Sequence, residues 1–191
     1  RDADLSAIMG QWREVRKSTR LALVVLEAEP GYGKSRLAQE VTARVALDGG
    51  ASVTTRSVSA DRRQHLSGIL SLARGGLVDV AGAAAAPPAA LGALAHESSE
   101  WAERFPAAAR VPSSQSLSGA VTEVLRVASA EQPLLLVFDD AQWLDDASLD
   151  QLEIIVRDLA RASLLLLLTT TRESSSPRLA ALRARIGRDV P

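Results

Sequence analysis

The sequence contains no cysteine and few aromatic residues. The absence of cysteine from 191 residues excludes a disulfide framework and any metal site with Cys ligands. It agrees with a reducing compartment, and we expect a cytoplasmic protein. Aromatic residues make up only 3% of the chain although hydrophobic residues make up 47%. We therefore expect Ala, Leu and Val to fill the core.

The sequence also lacks an excess of charge of one sign and a long hydrophobic run. The net charge of −1 gives no sign of a basic nucleic-acid surface. The leucine run at 164–168 has five residues, against the roughly 20 that span a bilayer. The chain opens with charged residues rather than a secretory signal. We expect no direct nucleic-acid or membrane partner.

Strand and helix patterns alternate along the chain. Apolar or β-branched runs predict strands at 21–27, 51–58, 134–138 and 164–168. Apolar residues at helical spacing predict helices at 4–17, between the first two strands, from 116, after 146, and from Ser176-Pro177. This alternation predicts an α/β three-layer αβα sandwich with a parallel sheet. We expect the first strand to be apolar on both faces, as at the centre of such a sheet.

The middle of the chain has a weaker pattern. We interpret the whole chain, 1–191, as one domain with an N-terminal helix (1–18), a first strand–helix unit (19–58), a helical insertion (59–130) and a last unit (131–191). The insertion is rich in Ala and Pro, and we expect short helices near 88–96 and 98–104 and a mobile stretch around 81–88. His65 and His96 have no cysteines or clustered acids near them in sequence, so we interpret them as surface residues rather than metal ligands.

A glycine-bearing loop follows the first strand and leads into a helix. Its residues are Ala28, Glu29, Pro30, Gly31, Tyr32, Gly33, Lys34 and Ser35, followed by Arg36. Strand, glycine loop, Lys-Ser and helix in this order form a phosphate-binding P-loop, whose N–H groups and helix N-terminus attract anions. Lys34 is predicted to reach the β- and γ-phosphates, and the Ser35 hydroxyl to ligate Mg²⁺. Ala28 replaces the usual first glycine of this motif.

Two adjacent acids follow the third predicted strand. Asp139 and Asp140 come directly after apolar residues 134–138, which is a Walker B pattern at the sheet edge where ligands bind in open α/β folds. Asp139 is predicted to hold Mg²⁺ opposite Ser35, and Asp140 to orient or deprotonate the attacking water. The alternative is that the two acids only cap the loop before the next helix.

Polar residues also follow the fourth predicted strand. Thr171 and Arg172 lie at its end, where a polar group can touch a γ-phosphate and an arginine can stabilise charge during phosphoryl transfer. We predict a sensor role for Arg172. The alternative is that Arg172 starts an exposed loop.

These motifs resemble those of the STAND class of P-loop ATPases, which are related to AAA+ proteins. The resemblance is closest to the ATPase domain of bacterial LuxR-type large transcriptional regulators and related signalling proteins. It is found in three stretches: RDADL at 1–5, EAEPGYGKSRL at 27–37 and DDAQWLDDASL at 139–149. The last is the most specific, because generic Walker B chemistry does not require its Trp143, Asp145 and Ser148-Leu149.

The resemblance implies a strand order of 5-1-4-3-2, with the fifth strand cut short near Val190. It implies ATP or ADP with Mg²⁺ as ligands, phosphate contacts from the P-loop, and Arg1 near the adenine. In such proteins the domain belongs to a longer chain with a helical lid, a winged helix, repeats or a DNA-binding domain, and it can oligomerise with nucleotide. We expect effector and sensor domains of this kind as partners.

Three functions remain open from the sequence. The first is an ATP-binding, slowly hydrolysing regulatory switch of a larger signalling or transcription-regulator protein. The second is a degenerate nucleotide fold that serves as a scaffold or interaction module, for which Ala28 leaves room. The third is a small-molecule P-loop kinase, for which Arg62-Arg63 is the only candidate for an arginine-rich lid near the second strand.

Overall fold

The chain folds as a parallel sheet with helices on both faces, which confirms the predicted fold class. A computed structural model describes residues 2–171 and 177–189, apart from the side chains of 183 and 185–189. The strands are β1 (Ala22–Glu27), β2 (Ala51–Arg56), β3 (Leu134–Asp139) and β4 (Leu164–Thr170). The helices are α1 (Asp2–Ser18), α2 (Lys34–Leu47), α3 (Ser67–Arg74), α4 (Pro88–Glu97), α5 (Ser99–Arg104), α6 (Leu117–Glu131), α7 (Asp146–Asp158) and α8 (Pro177–Asp189).

The strand order within the described residues is β1-β4-β3-β2, and neighbouring strands are parallel. This is the predicted order without its fifth strand, whose expected start at Val190 lies outside the described residues. Because β1 is at an edge of this sheet, its residues after Ala22 are only half-buried, whereas β3 and β4 are buried throughout. Within the described residues β1 is therefore an edge strand, and its expected place between β4 and a fifth strand stays a prediction.

Alternating side chains of the sheet face two separate cores. On one face, α1 and α2 cover Leu135, Val137, Leu165 and Leu167. On the other face, the insertion, α6 and α7 cover the intervening residues of β3 and β4. The period of two along a strand produces this division, because successive side chains point to opposite faces. Leu, Ala and Val dominate both cores, as the composition predicted.

The insertion is packed rather than open. The helices expected near 88–96 and 98–104 form as α4 and α5. Ala83–Ala85 form a 3-10 helix, and Ala83 and Ala86 are buried where we expected a mobile stretch. A Cβ added at Gly82 would lie 2.9 Å from Glu131 and 3.1 Å from the Cα of Ala128. Small side chains therefore let this segment lie directly against α6.

No helix in the described ranges has both the length and the apolar character needed to cross a membrane.

Candidate functional site

The loop between β1 and α2 has the backbone conformation of an anion-binding loop. Gly31 and Gly33 have φ angles of 81° and 75°, the left-handed region that glycine adopts without steric cost. The first hydrogen bond within α2 joins Leu37 N–H to Gly33 O at 2.9 Å. The N–H groups of Lys34, Ser35 and Arg36 therefore belong to the first turn, which has no intrahelical acceptors. The helix N-terminus is thus built to receive negative charge.

Lys34 is buried against this loop. Its Nζ donates to Ala28 O at 3.0 Å and to Glu29 O at 3.1 Å, and the residue is only 8% exposed. An ammonium group has three N–H donors, so these two bonds leave one for another acceptor. The two carbonyls hold the charge of Lys34 at the loop, where an anion would meet it.

The P-loop is joined to the end of β3 by a direct hydrogen bond. Ser35 Oγ donates to Asp139 Oδ1 at 3.1 Å, across 104 residues of sequence. Thr169 Oγ1 donates to the same oxygen at 2.5 Å and accepts from Asp140 N–H at 3.0 Å. A hydroxyl and a carboxylate side by side are the oxygen ligands that Mg²⁺ takes in nucleotide sites, where phosphates and waters supply the rest.

Asp140 directs its carboxylate towards two other residues. Its backbone is left-handed, with φ 57°, a conformation that Asp tolerates better than most residues. Oδ2 accepts from Arg56 Nε at 3.1 Å, and Oδ1 accepts from Gln142 Nε2 at 3.2 Å. Arg56 Nε also lies 3.9 Å from Asp139 Oδ2. The two acids therefore share Arg56 but differ in their other partners, which are Ser35 and Thr169 for the Asp139 carboxylate and Gln142 for the Asp140 carboxylate.

The segment after Asp140 is fixed to the start of α3. The Asp145 carboxylate caps α7 by accepting from Ser148 N–H, and it also accepts from Leu66 N–H, Ser67 Oγ and Gly68 N–H. Burial raises the pKa of Asp145, but the hydrogen bonds from Ser148, Leu66 and Gly68 outweigh it and hold the pKa below its ordinary value.

Trp143 forms a further contact between the same two segments. The Arg62 guanidinium lies over its ring at 5.3 Å from the centroid, within cation–π range. The segment from Asp140 to the start of α7 is called the acidic loop below. Trp143, Asp145 and Ser148, which generic Walker B chemistry does not need, thus connect this loop to the insertion. Arg62 is engaged in this contact, which weakens its case as a kinase lid residue.

The structure brings most of the predicted site residues together at one edge of the sheet. Ala28, Glu29, Lys34, Ser35, Asp139 and Asp140 form the connected cluster described above. Tyr32 is 74% exposed, and Arg36 is also exposed on α2. Arg1 and Arg172 lie outside the described residues, so their predicted roles stay predictions.

Three residues of the cluster were not predicted from the sequence. Thr169 contacts Asp139, because alternation along β4 turns Thr169 to the same face as Leu165 and Leu167. The γ-phosphate contact expected near Thr171 stays a prediction. Arg56 ends β2 beside β3, paired in register with Asp139. Gln142 contacts Asp140 from the next turn of the chain. The carboxyl ends of parallel strands meet at one sheet edge. Arg56 and Thr169 could therefore have been predicted as site residues from their positions at the ends of β2 and β4.

A groove of about 360 Å³ opens beside the Ser35–Asp139 pair. Its other walls come from α2, β2 and β3, and include Gln39, Thr42 and Thr54. Within the described part of the chain, no group of three or more His, Cys, Asp or Glu residues could hold a metal ion. Mg²⁺ bound through one or two carboxylates together with nucleotide phosphates does not need such a cluster.

Comparison with known protein families agrees with this geometry. A family described as "AAA ATPase domain" matches residues 1–168. The chain belongs to the AAA ATPase domain family. This AAA ATPase domain has the AAA+ P-loop NTPase fold, and membership indicates a nucleotide-binding ATPase. No curated protein matches the chain.

Among solved structures, the domain is similar to the Aeropyrum pernix ORC2 protein, determined as ADPNP-ADP complexes. The match has a TM-score of 0.55 at 13% identity and covers all of this chain but 44% of the other. At this identity the likeness concerns the fold alone. The domain therefore spans less than half the length of that protein.

Proposed function

We propose that this domain binds Mg-ATP at its P-loop, hydrolyses it slowly, and acts as a regulatory switch within a larger signalling or transcription-regulator protein of the STAND class. One observation carries the binding site: the 3.1 Å hydrogen bond from Ser35 to Asp139. It puts the P-loop hydroxyl and the Walker B carboxylate in contact, next to buried Lys34. The three groups that P-loop chemistry requires are then adjacent.

The residues divide the chemistry between them. The loop N–H groups and Lys34 bind the phosphates, and Ser35 with Asp139 holds Mg²⁺, which neutralises charge on the phosphate oxygens. Asp140 orients a water molecule and accepts its proton as the water oxygen bonds to the γ-phosphorus and the bond to ADP breaks. Thr169 fixes Asp139 and the Asp140 backbone. Arg172 is proposed as a sensor and Arg1 as an adenine contact.

The pairing of Asp140 supports slow rather than fast turnover. Asp140 is paired with Arg56, so its carboxylate must exchange this partner before it can act on water. The ADPNP-ADP complexes of the ORC2 protein support adenine nucleotides as ligands.

The scaffold and kinase alternatives have less support. A degenerate fold would not need Lys34 buried on the loop carbonyls or Ser35 bonded to Asp139. A kinase would need a second pocket for its acceptor and a mobile basic lid, yet Arg62 packs on Trp143. Nucleotide binding distinguishes a scaffold from an ATPase, and analysis of the reaction products distinguishes a kinase from an ATPase.

Nucleotide titration tests the proposal, and the sequence offers a matched control. Lys17 and Lys34 are the only lysines of the chain. We expect Lys34→Ala to weaken Mg-ATP binding at least about 100-fold, equivalent to about 2.7 kcal/mol, because the ammonium contacts the phosphates. Exposed Lys17→Ala should leave affinity unchanged. Calorimetric titration with ATP, ADP and GTP measures this, and equal affinity of wild type and Lys34→Ala would refute the P-loop assignment.

A further inference from the structure

Gln142 connects the Asp140 carboxylate to the end of β4. It lies on the 3-10 helix Ala141–Trp143 and is only 4% exposed. Its Nε2 donates to Asp140 Oδ1 at 3.2 Å, and its Oε1 accepts from Thr171 N–H at 3.3 Å. Both ends of the amide are therefore used in a buried position.

The two partners of Gln142 fix the orientation of its amide. An ionised carboxylate only accepts hydrogen bonds, and a backbone N–H only donates one. Rotating the amide by half a turn would place its oxygen against Asp140 and its NH₂ against the Thr171 N–H, which are both repulsive contacts. The side chain is thus locked, and it presents an N–H donor to one particular oxygen of Asp140.

The other oxygen of Asp140 has a more replaceable partner. Arg56, which contacts Oδ2, has a side chain that is 68% exposed, and exposed ion pairs of this kind exchange with water at little cost. Gln142 is buried and held at both ends. If Arg56 leaves, Oδ1 stays bound to Gln142 and Oδ2 becomes free for water. The Gln142 contact therefore holds the carboxylate in place, whereas the Arg56 contact occupies the oxygen that water would need.

We infer that Gln142 is a positioning residue for the ATPase reaction, holding the Asp140 carboxylate so that its Oδ2 faces the attacking water. The inference rests on the proposed function and adds a residue to it. Gln142 would act through Asp140, the acid to which its amide donates. Its bond to Thr171 also connects this carboxylate to the end of β4.

A matched pair of buried glutamines separates positioning from stability. Gln151, on α7, is also 4% exposed, and its amide donates to Ser118 O and Thr122 Oγ1, both on α6. Gln142→Met and Gln151→Met each remove a buried amide of the same size. Asp140→Asn provides the reference for loss of the proposed water-side acid. Thermal denaturation of each variant gives its loss of stability.

The measurements are Mg-ATP affinity by titration and hydrolysis under single-turnover conditions. We expect Gln142→Met to keep its affinity within about twofold and to lose about tenfold or more in rate, because a hydrogen bond to the reacting carboxylate is lost. Gln142→Glu, which cannot donate and repels Asp140, should lose at least as much. Gln151→Met should keep both affinity and rate at similar stability.

The outcomes distinguish this inference from the function on which it rests. Hydrolysis by Gln142→Met at the wild-type rate, in a wild type that binds and hydrolyses ATP, would overturn the inference alone. An equal loss of rate in Gln151→Met would also overturn it, because the effect would follow stability. Failure of the wild type to bind Mg-ATP would overturn the proposed function itself, and with it the reaction that Gln142 serves.

Discussion

Arg56 occupies the position from which a cation would neutralise both Walker B acids. Its Nε lies 3.1 Å from Asp140 and 3.9 Å from Asp139, while two thirds of its side chain is exposed. An exposed ion pair contributes little to stability, so its main effect is on the electrostatics of the site. A guanidinium beside the carboxylates opposes a second cation there.

We therefore predict that Arg56→Met makes Mg²⁺ bind more tightly. At fixed ATP, the half-saturating Mg²⁺ concentration should fall about threefold, because the carboxylates lose a competing positive charge that solvent only partly screens. Titration with Mg²⁺ at low salt measures the change. Arg44→Met is the control, since Arg44 forms an exposed pair with Glu40 on α2 and should change nothing. Weaker Mg²⁺ or ATP binding in Arg56→Met would mean that Arg56 contacts phosphate instead.

The Asp145 carboxylate joins the acidic loop to the start of α3 by hydrogen bonds. Leu66, the residue before α3, has a left-handed backbone with φ 57°, and its N–H is taken by Asp145 at 2.9 Å. A Cβ on Gly68 would lie 2.4 Å from Leu144 and 3.1 Å from Ser148 Oγ. The close approach of the two segments thus depends on a glycine as well as on the carboxylate.

We predict that Asp145→Asn destabilises the domain by about 2 to 3 kcal/mol at neutral pH, the cost of losing a charged acceptor and leaving buried donors unpaired. Folding lowers the pKa of Asp145. The contribution of its charge to the free energy of unfolding is therefore complete above the pKa of the unfolded chain, about 3.9. This contribution is lost as the pH falls through the lower pKa of the folded state. The difference in free energy of unfolding between wild type and Asp145→Asn should therefore become smaller below about pH 4.

Urea denaturation between pH 3 and 7 measures this dependence. Asp146→Asn is the control, because Asp146 is the next residue but its side chain is 69% exposed in a pair with Arg178. It should cost at most about 1 kcal/mol and show no comparable acid dependence. A stability gap for Asp145→Asn that stays constant or widens towards pH 3 would show that the Asp145 charge does not hold the two segments together.

At the scale of the whole molecule, the site lies where the carboxyl ends of four parallel strands converge. β1 leads into the P-loop, β2 ends at Arg56, β3 ends at Asp139 and β4 carries Thr169. Side-chain alternation in buried β3 and β4 serves two cores at once. The fold therefore fixes the relative positions of residues that are over a hundred places apart in sequence.

The sequence predicted the parts of this arrangement that repeat with a regular period. The four strands, the helices around them and the P-loop follow from apolar spacing and glycine placement, and residues 134–138 lead directly to Asp139. Contacts that depend on strand register and loop conformation could not be predicted from the sequence. The left-handed Asp140, the Gln142 bridge and the packing of Ala83 and Ala86 require three-dimensional neighbours, which local patterns do not encode.

The central claim, that Lys34 meets the γ-phosphate of bound ATP, has a direct chemical test. In an acyl phosphate of ATP, a lysine amine in contact with the γ-phosphate attacks the acyl carbonyl, forms an amide and releases ATP. Lys34 is 8% exposed and Lys17 is exposed on α1, so random acylation would favour Lys17. Peptide mapping should find the acyl group on Lys34, suppressed by excess Mg-ATP. Acylation of Lys17 alone, or of Lys34 without protection by Mg-ATP, would contradict the account.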